Sequence, residues 1–433
     1  MGPPQSTRYD RIHDNESDDH RTRSARDRDR VLYSGAFRRL AGVTQVAAPL
    51  DSHLFHSRLS HSLEVAQIGR RIAERLLAQK PRSLSPHLDP DVVEAACLIH
   101  DIGHPPFGHV AEGELDRLVR RKNEGGFEGN AQSFRIVTNL AVHRDSYEGL
   151  DLCRATLNAV LKYPNRRNLD DKTSKEFRKF GAYAEDLGAF NWAREGWPEN
   201  HRSLEAEVMD YADDIAYSVH DIIDFYKAGL LPLGTLRRDP DEYNAFIEAW
   251  EKDRVVRLPP DVKARPKKYK TLLGLFLVHR HYMGTKDQRA SLRAIATAKI
   301  RQYDKAARVT KENGQYVLKR NEAVDLEIEF LKRVFYHYLI SNPRLTTMQH
   351  GQKRIIRELF KAFFDATGRK DVATIIPGRF LDQYESLQNL SAKPERARLA
   401  CDIVSSFTDA QALTLYRRLN GNDPGEISDI VTW

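Results

Sequence analysis

The chain has 433 residues, with 68 Lys and Arg against 61 Asp and Glu and a formal charge of +7, a small excess for this length that suits anionic ligands without demanding nucleic acid. No apolar run is long enough to span a bilayer and the amino-terminal stretch is polar rather than signal-like, so a cytoplasmic protein is expected and a membrane protein is not. Cys97, Cys153 and Cys401 have neither paired spacing nor a CxxC arrangement, which points to a reducing compartment and away from a disulfide scaffold.

In chain order, residues 1–25 are polar and lack apolar periodicity, and a disordered arm is expected there unless an oligomer contact orders it. From Ser57, SRLSHSLEVAQIGRRIAERL places Leu63, Ile68, Ile72, Leu76 and Leu77 at helical spacing, predicting an amphipathic helix that begins near His61. The run CLIHDIGHPPFGHVAE, Cys97 to Glu112, ends an apolar helix in His100 and Asp101. Pro105 and Pro106 stop that helix and re-aim the chain, because proline lacks an amide donor and clashes inside a helix. His109 and Glu112 then fall three apart on the opening turn of the next helix. In EAEVMDYADDIAYSVHDIIDFY, Asp213, Tyr217, Asp221 and Asp224 recur every three or four residues, which predicts one shared helix face.

The pattern stays helical beyond this point. Lys270–Met283 and Asp325–Ile340 are apolar at helical spacing, Gln352–Phe364 and Ala397–Leu419 predict a helix pair, and Gly314–Arg320 after KENG reads as half of a short hairpin. No internal repeat is visible, and the fold class expected is mainly α.

The side chains of His100, Asp101, His104, His109 and Glu112 form a cluster of nitrogen and oxygen donors. Such donors suit Mn, Fe, Co, Ni, Zn or water-rich Mg better than a thiolate-loving metal. Helix neighbours cannot all converge on one ion, so ligands must come from elsewhere, and His61 and Asp213 are the candidates. Taken singly, each has an ordinary reading. His61 can be a helix cap, Arg58 a surface arginine, Gln45 and Asn130 partners of loop backbone, and Tyr217 a core residue. Glu112 can serve only the helix dipole, and the Asp213 stripe can be a solvated acidic face.

Read together, His61, His100-Asp101 and Asp213 resemble the H…HD…D pattern of the HD-domain metal-dependent phosphohydrolases. Five blocks narrow the resemblance: Arg26–Val46, Ser57–Arg70, His100–Glu112, Phe127–Val137 and Asp210–Asp221. In that order they are similar to the bacterial deoxyguanosine triphosphate triphosphohydrolase-like family, a distant relative of the vertebrate SAM-and-HD-domain dNTPase. The resemblance implies a helical HD catalytic core over 26–235, with a helical carboxy-terminal region over 236–433 packing on it. It implies His61, His100, Asp101 and Asp213 as ligands of a divalent metal, Mn or Mg, with Fe, Co, Ni or Zn as other options. His109 and Glu112 would transfer protons and activate water, and His104 would contact the α-phosphate. Arg58 would bind phosphate, Gln45 would read the sugar or base edge, and Tyr217 and Asp221 would hold phosphate and the 3′-hydroxyl. Asn130 and Lys179 complete the expected substrate contacts, Lys179 as the phosphate-gripping residue of the basic run Lys172–Lys179.

The activity implied is hydrolysis of deoxynucleoside triphosphates to deoxynucleoside and inorganic triphosphate by a homo-oligomer, a tetramer or hexamer. Alternatives are another HD-type nucleotide phosphohydrolase, such as a monophosphatase or phosphodiesterase, or a nucleotide-sensing nucleic-acid-binding regulator. A single-stranded nucleic acid could track the basic run Arg265–Lys270 with Tyr269 as a stacking platform. The block DIVSSFTDAQA, Asp402–Ala412, departs from the family's DYIAGMTDRYA in its serines, Phe407 and Ala410-Gln411, which leaves the preferred base open.

Overall fold

The computed structural model describes residues 5–13, 19–45, 57–253, 256–276, 282–340, 343–369, 375–387 and 392–423. Among them the chain is mainly helical, and the sheet is one antiparallel hairpin.

Three helices set the site. Helix α1, Arg58–Gln79, starts at the N-cap Ser57, whose hydroxyl accepts from the Ser60 amide. Helix α2, Pro90–Ile99, starts with Asp89 as cap and Pro90 in its first turn, where the missing amide costs nothing. Helix α3, Leu204–Ala216, is capped by Ser203. The three pack on one another, burying Val65, Ile68, Ile72, Val92, Val93, Ala96, Val208, Ala212 and Ile215. They approach closely at Gly69, where a Cβ would lie 2.7 Å from Cys97 Sγ, 3.1 Å from Val93 Cγ1 and 3.5 Å from Ala212 Cβ. A glycine there lets the backbones meet while His61 stays two turns away, at the open end of the bundle.

A second apolar cluster joins helix α4, His109–Val119, to the carboxy-terminal region. Ala111, Leu115 and Val119 pack with Ile356, Leu359, Phe360 and Phe363 of helix α5, Pro343–Ala366, and with Ala400, Cys401 and Val404 of helix α6, Lys393–Ser405. A buried ionic network crosses the same boundary. Arg135 bonds Asp402 at 2.9 Å and Asp186 at 2.8 Å, and Gln132 donates to Asp402 at 2.9 Å. The segment Ala397–Leu419 is two helices rather than one. Ser406 Oγ donates to the Ile403 carbonyl at 2.5 Å, and Thr408 with Gln411 forms a capping box that starts helix α7, Asp409–Leu419.

The hairpin expected at Gly314–Arg320 is present. Strands β1, Arg308–Glu312, and β2, Gln315–Lys319, are joined by Asn313-Gly314, both at positive φ, the residue pair that such a two-residue turn requires. The helix within Lys270–Met283 is described over Pro266–Phe276, and residues 277–281 lie outside the described residues.

Two expectations need correction. The amino-terminal arm is ordered over residues 5–13 and 19–25, because its arginines find buried carboxylates: Arg8 pairs with Glu205 at 2.6 Å and Arg11 with Asp27 at 2.7 Å. Composition alone treats those charges as solvated. Tyr269 is no stacking platform either. Its ring is fully buried against Phe330 at 4.7 Å, and its hydroxyl donates to Asp261 at 2.9 Å. Among the described residues, no helix is long and apolar enough to cross a membrane.

Candidate active site

The open end of the α1, α2 and α3 bundle gathers His61, His100 and Asp213, with donor atoms within 4.8 Å of one another. His61, on the first turn of α1, points Nε2 at Asp213 Oδ1, 3.2 Å away. His100 closes α2 and donates Nδ1–H to the Cys97 carbonyl at 2.6 Å. That bond fixes its tautomer and leaves the Nε2 lone pair for the site. Nε2 lies 3.7 Å from Asp213 Oδ1 and, though buried, has no hydrogen-bond partner. An imidazole lone pair held in this way beside a carboxylate fits a divalent cation.

Electrostatics agree. Burial would lower the His61 pKa, but the Asp213 hydrogen bond and the charges of Asp221, Asp213 and Asp101 overcome it and raise it to about 9. The carboxylates thus create a field that a cation satisfies. Asp101 stands at the edge of this group. Its Oδ1 is 3.6 Å from His100 Nε2 and 3.1 Å from His104 Nδ1, while Oδ2 accepts from Arg58 Nη1 at 2.6 Å. Three of the four expected ligands therefore converge, and the fourth is partly taken by Arg58.

A second group adjoins the first. His104, His109 and Glu112 also have donor atoms within 4.8 Å of one another, and the His104 and His109 rings meet edge to face at 5.2 Å. The turn that brings them together runs through Phe107 and Gly108, both at positive φ. His109 is exposed, with Nδ1 2.8 Å from Glu112 Oε2. Burial would raise the Glu112 carboxyl, but the His109 hydrogen bond and charge, with Lys179, hold it well below the usual range. His104 is buried, and burial together with the Arg58 charge lowers its pKa to about 4, so it is a neutral ring at pH 7.

Lys179 Nζ lies 2.8 Å from Glu128 and 3.4 Å from Glu112. Asn130 donates from Nδ2 to Glu128 at 2.9 Å, the N-cap of the helix Gly129–Arg135. Arg58 is buried and bonds the Thr44 carbonyl at 3.0 Å as well as Asp101. Gln45 is half-buried, and its carbonyl accepts from Arg58 Nη2 at 3.5 Å.

The stripe from Asp213 to Asp224 is not a plain α-helical face. A π-helical turn spans Tyr217–Asp221 and changes the angular step between its two ends. Burial, then the charges of Asp221 and Asp213, raise the Tyr217 phenol, and the Asp221 charge also acts on His61. Asp224 instead pairs with Lys227 at 3.2 Å.

Some site residues escaped the sequence reading. Lys162 Nζ bonds Asp213 Oδ2 at 3.0 Å and Asp210 Oδ1 at 2.9 Å. The available signal was a lysine ending the apolar run Thr156–Leu161, where a charge needs a partner. Glu128 holds Lys179 and caps the helix at Gly129. Arg39 donates to the Ile102 and His104 carbonyls at 2.7 and 2.8 Å and to the Phe407 carbonyl at 2.9 Å. Nothing local to Arg39 in the sequence announces those acceptors.

The HD domain model matches residues 58–218, and the phosphohydrolase-associated domain model matches 318–418. The chain is 36% identical to a protein of Streptomyces coelicolor over 93% of both chains. It is 36% identical to one of Corynebacterium efficiens over 93% of this chain and 92% of the relative. It is 30% identical to one of Shewanella woodyi over 93% and 92%. All three relatives are named deoxyguanosinetriphosphate triphosphohydrolase-like protein.

Proposed function

This chain belongs to the deoxyguanosinetriphosphate triphosphohydrolase-like family of HD-domain phosphohydrolases, and on that footing we propose that it hydrolyses deoxynucleoside triphosphates to deoxynucleoside and inorganic triphosphate. The observation that carries the reading is the contact between the two groups: the Asp101 carboxylate faces His100 on one side and His104 on the other. This adjacency supports a cation site beside a proton-transfer pair, both serving one phosphoryl group.

His61, His100, Asp213 and, at the edge, Asp101 would hold a divalent metal, with Mn or Mg first in line. When bound, it neutralises phosphate charge and lowers the pKa of water. The chain's own residues do the rest. Water attacks the α-phosphorus, the bond from that phosphorus to the 5′-oxygen breaks, and the 5′-oxygen takes a proton. His109, exposed and braced by Glu112, handles the proton at the 5′-oxygen or the water. His104, buried and held through Nδ1 by Asp101 at 3.1 Å, is the contact to the α-phosphate. Arg58 adds fixed positive charge, Lys179 grips the distal phosphates, and Tyr217 and Asp221 hold phosphate and the 3′-hydroxyl. Gln45 meets the sugar or base edge, and Asn130 is a further substrate contact. Assembly as a homo-oligomer, a tetramer or hexamer, and a cytoplasmic location belong to the same reading.

The test is incubation with each dNTP and with GTP, in Mg or Mn, with products resolved by ion-exchange chromatography. Deoxynucleoside with intact triphosphate is expected. Monophosphate with pyrophosphate, or diphosphate with phosphate, would replace this reading with another HD phosphohydrolase.

A further inference from the structure

The carboxy-terminal block Asp402–Ala412 is remote in sequence from every residue with a role above, yet its Asp409 is buried against the site. A carboxylate in a first turn ordinarily serves its own helix. Helix α7 is already capped by Thr408 with Gln411, and the Asp409 oxygens turn to other parts of the chain. Oδ1 accepts from the Phe107 amide at 2.8 Å. Oδ2 accepts from the Thr44 amide at 3.1 Å and from the Thr44 hydroxyl.

Those donors flank two edges of the site. Thr44 precedes Gln45, and its carbonyl receives Arg58 Nε. Phe107 stands two residues before His109 at φ 65°, and Gly108 follows at φ 61°. A side chain at φ > 0 persists only where its surroundings hold it. The turn is tightly lodged, since a Cβ on Gly108 would lie 3.1 Å from Arg58 Nη2 and 3.4 Å from the Thr44 carbonyl. Arg39 supports the same turn from behind, tying the Ile102, His104 and Phe407 carbonyls together.

We infer that Asp409 is a positioning residue, through which the carboxy-terminal helices fix the Phe107-Gly108 turn and so the placement of His109 and Glu112 against His104. This rests on the proton-transfer role given to His109 above. Asp409 touches no substrate in this scheme, and it acts through the backbone that starts α4.

The experiment uses the full chain with Asp409→Ala and Asp409→Asn, the latter keeping size and one acceptor oxygen. Hydrogen exchange in peptides covering 104–112 should rise about tenfold or more in Asp409→Ala, as for a loop released from its anchor, with 58–79 and 90–99 unchanged. Turnover of dGTP should fall about 100-fold in kcat, the scale for a group misplaced by about 1 Å, with KM and Mn affinity by calorimetry within about threefold. Asp409→Asn should lie between wild type and Asp409→Ala in both readouts. A folded Asp409→Ala with wild-type kcat, or with unaltered exchange in 104–112, overturns the inference. Failure of both variants to fold overturns it too, because the role is then structural. A wild-type protein that hydrolyses no dNTP sinks the function proposed above instead and leaves the exchange arm to decide the positioning role.

Discussion

Lys162 Nζ and Asp213 Oδ2 are 3.0 Å apart, on the side of the carboxylate away from His61, whose Nε2 meets Oδ1 at 3.2 Å. The lysine thereby decides which Asp213 oxygen faces the histidines. It also neutralises Asp210, at 2.9 Å. Partners of this kind orient ligands, and losing one costs about 10- to 100-fold in metal affinity. Lys162→Met should therefore weaken Mn binding by about that factor, measured by calorimetry. Unchanged affinity would mean that Asp213 is held without it.

His109 and Asp213 belong to different groups, so their loss should separate. His109→Ala should lower kcat by about 10²- to 10⁴-fold, the range of general acid–base catalysis, and leave metal binding intact. Asp213→Ala should lose both, because it removes the oxygen that faces both imidazoles. Parallel measurement of bound Mn and of turnover checks this, and wild-type rates in both variants would sink the site assignment.

What the sequence made legible is what it writes locally. His100, Asp101, His104, His109 and Glu112 lie within thirteen residues, interrupted by two prolines, so both the donor side chains and the bend are visible. The hairpin showed itself through Asn313-Gly314 for the same reason. The π-turn over Tyr217–Asp221 was invisible, since it replaces an α-helical period with one that the side-chain pattern does not encode. Lys162, Arg39 and Asp409 were missed because each takes its meaning from a partner far away in the chain. Arg39 and Phe407 are 368 residues apart, and no periodicity spans that distance. The arm at 5–13 was misjudged because charge reads as solvation until a buried partner such as Glu205 is placed.

Gly69 offers a test of the bundle itself. Gly69→Ala puts a methyl 2.7 Å from Cys97 Sγ and 3.1 Å from Val93 Cγ1, so α1 and α2 must part. Overpacking of this kind costs about 1–3 kcal/mol. Urea unfolding should show that loss, and Gly69→Ala with Cys97→Ala should cost less than the two changes summed, because both act on one contact. Strict additivity would place the strain elsewhere.

The buried network between the core and the carboxy-terminal helices predicts a pH dependence of stability separate from catalysis. Burial raises the Asp186 carboxyl from 3.8 to about 6, opposed by Arg135 and reinforced by Asp402. Its Oδ2 is buried with no hydrogen-bond partner. The folded protein thus binds this proton more tightly than the unfolded chain does. The contribution is fully present below the unfolded pKa near 3.8 and is lost as pH rises through about 6. Asp186→Asn keeps the shape of the protonated acid and removes the titration, while Arg135 retains Asp402 at 2.9 Å. Thermal unfolding should find variant and wild type alike near pH 4 and the variant the more stable at pH 8, with the difference opening between those limits. A constant difference across the range would show that Asp186 is ionised throughout and that Arg135, rather than burial, sets its charge.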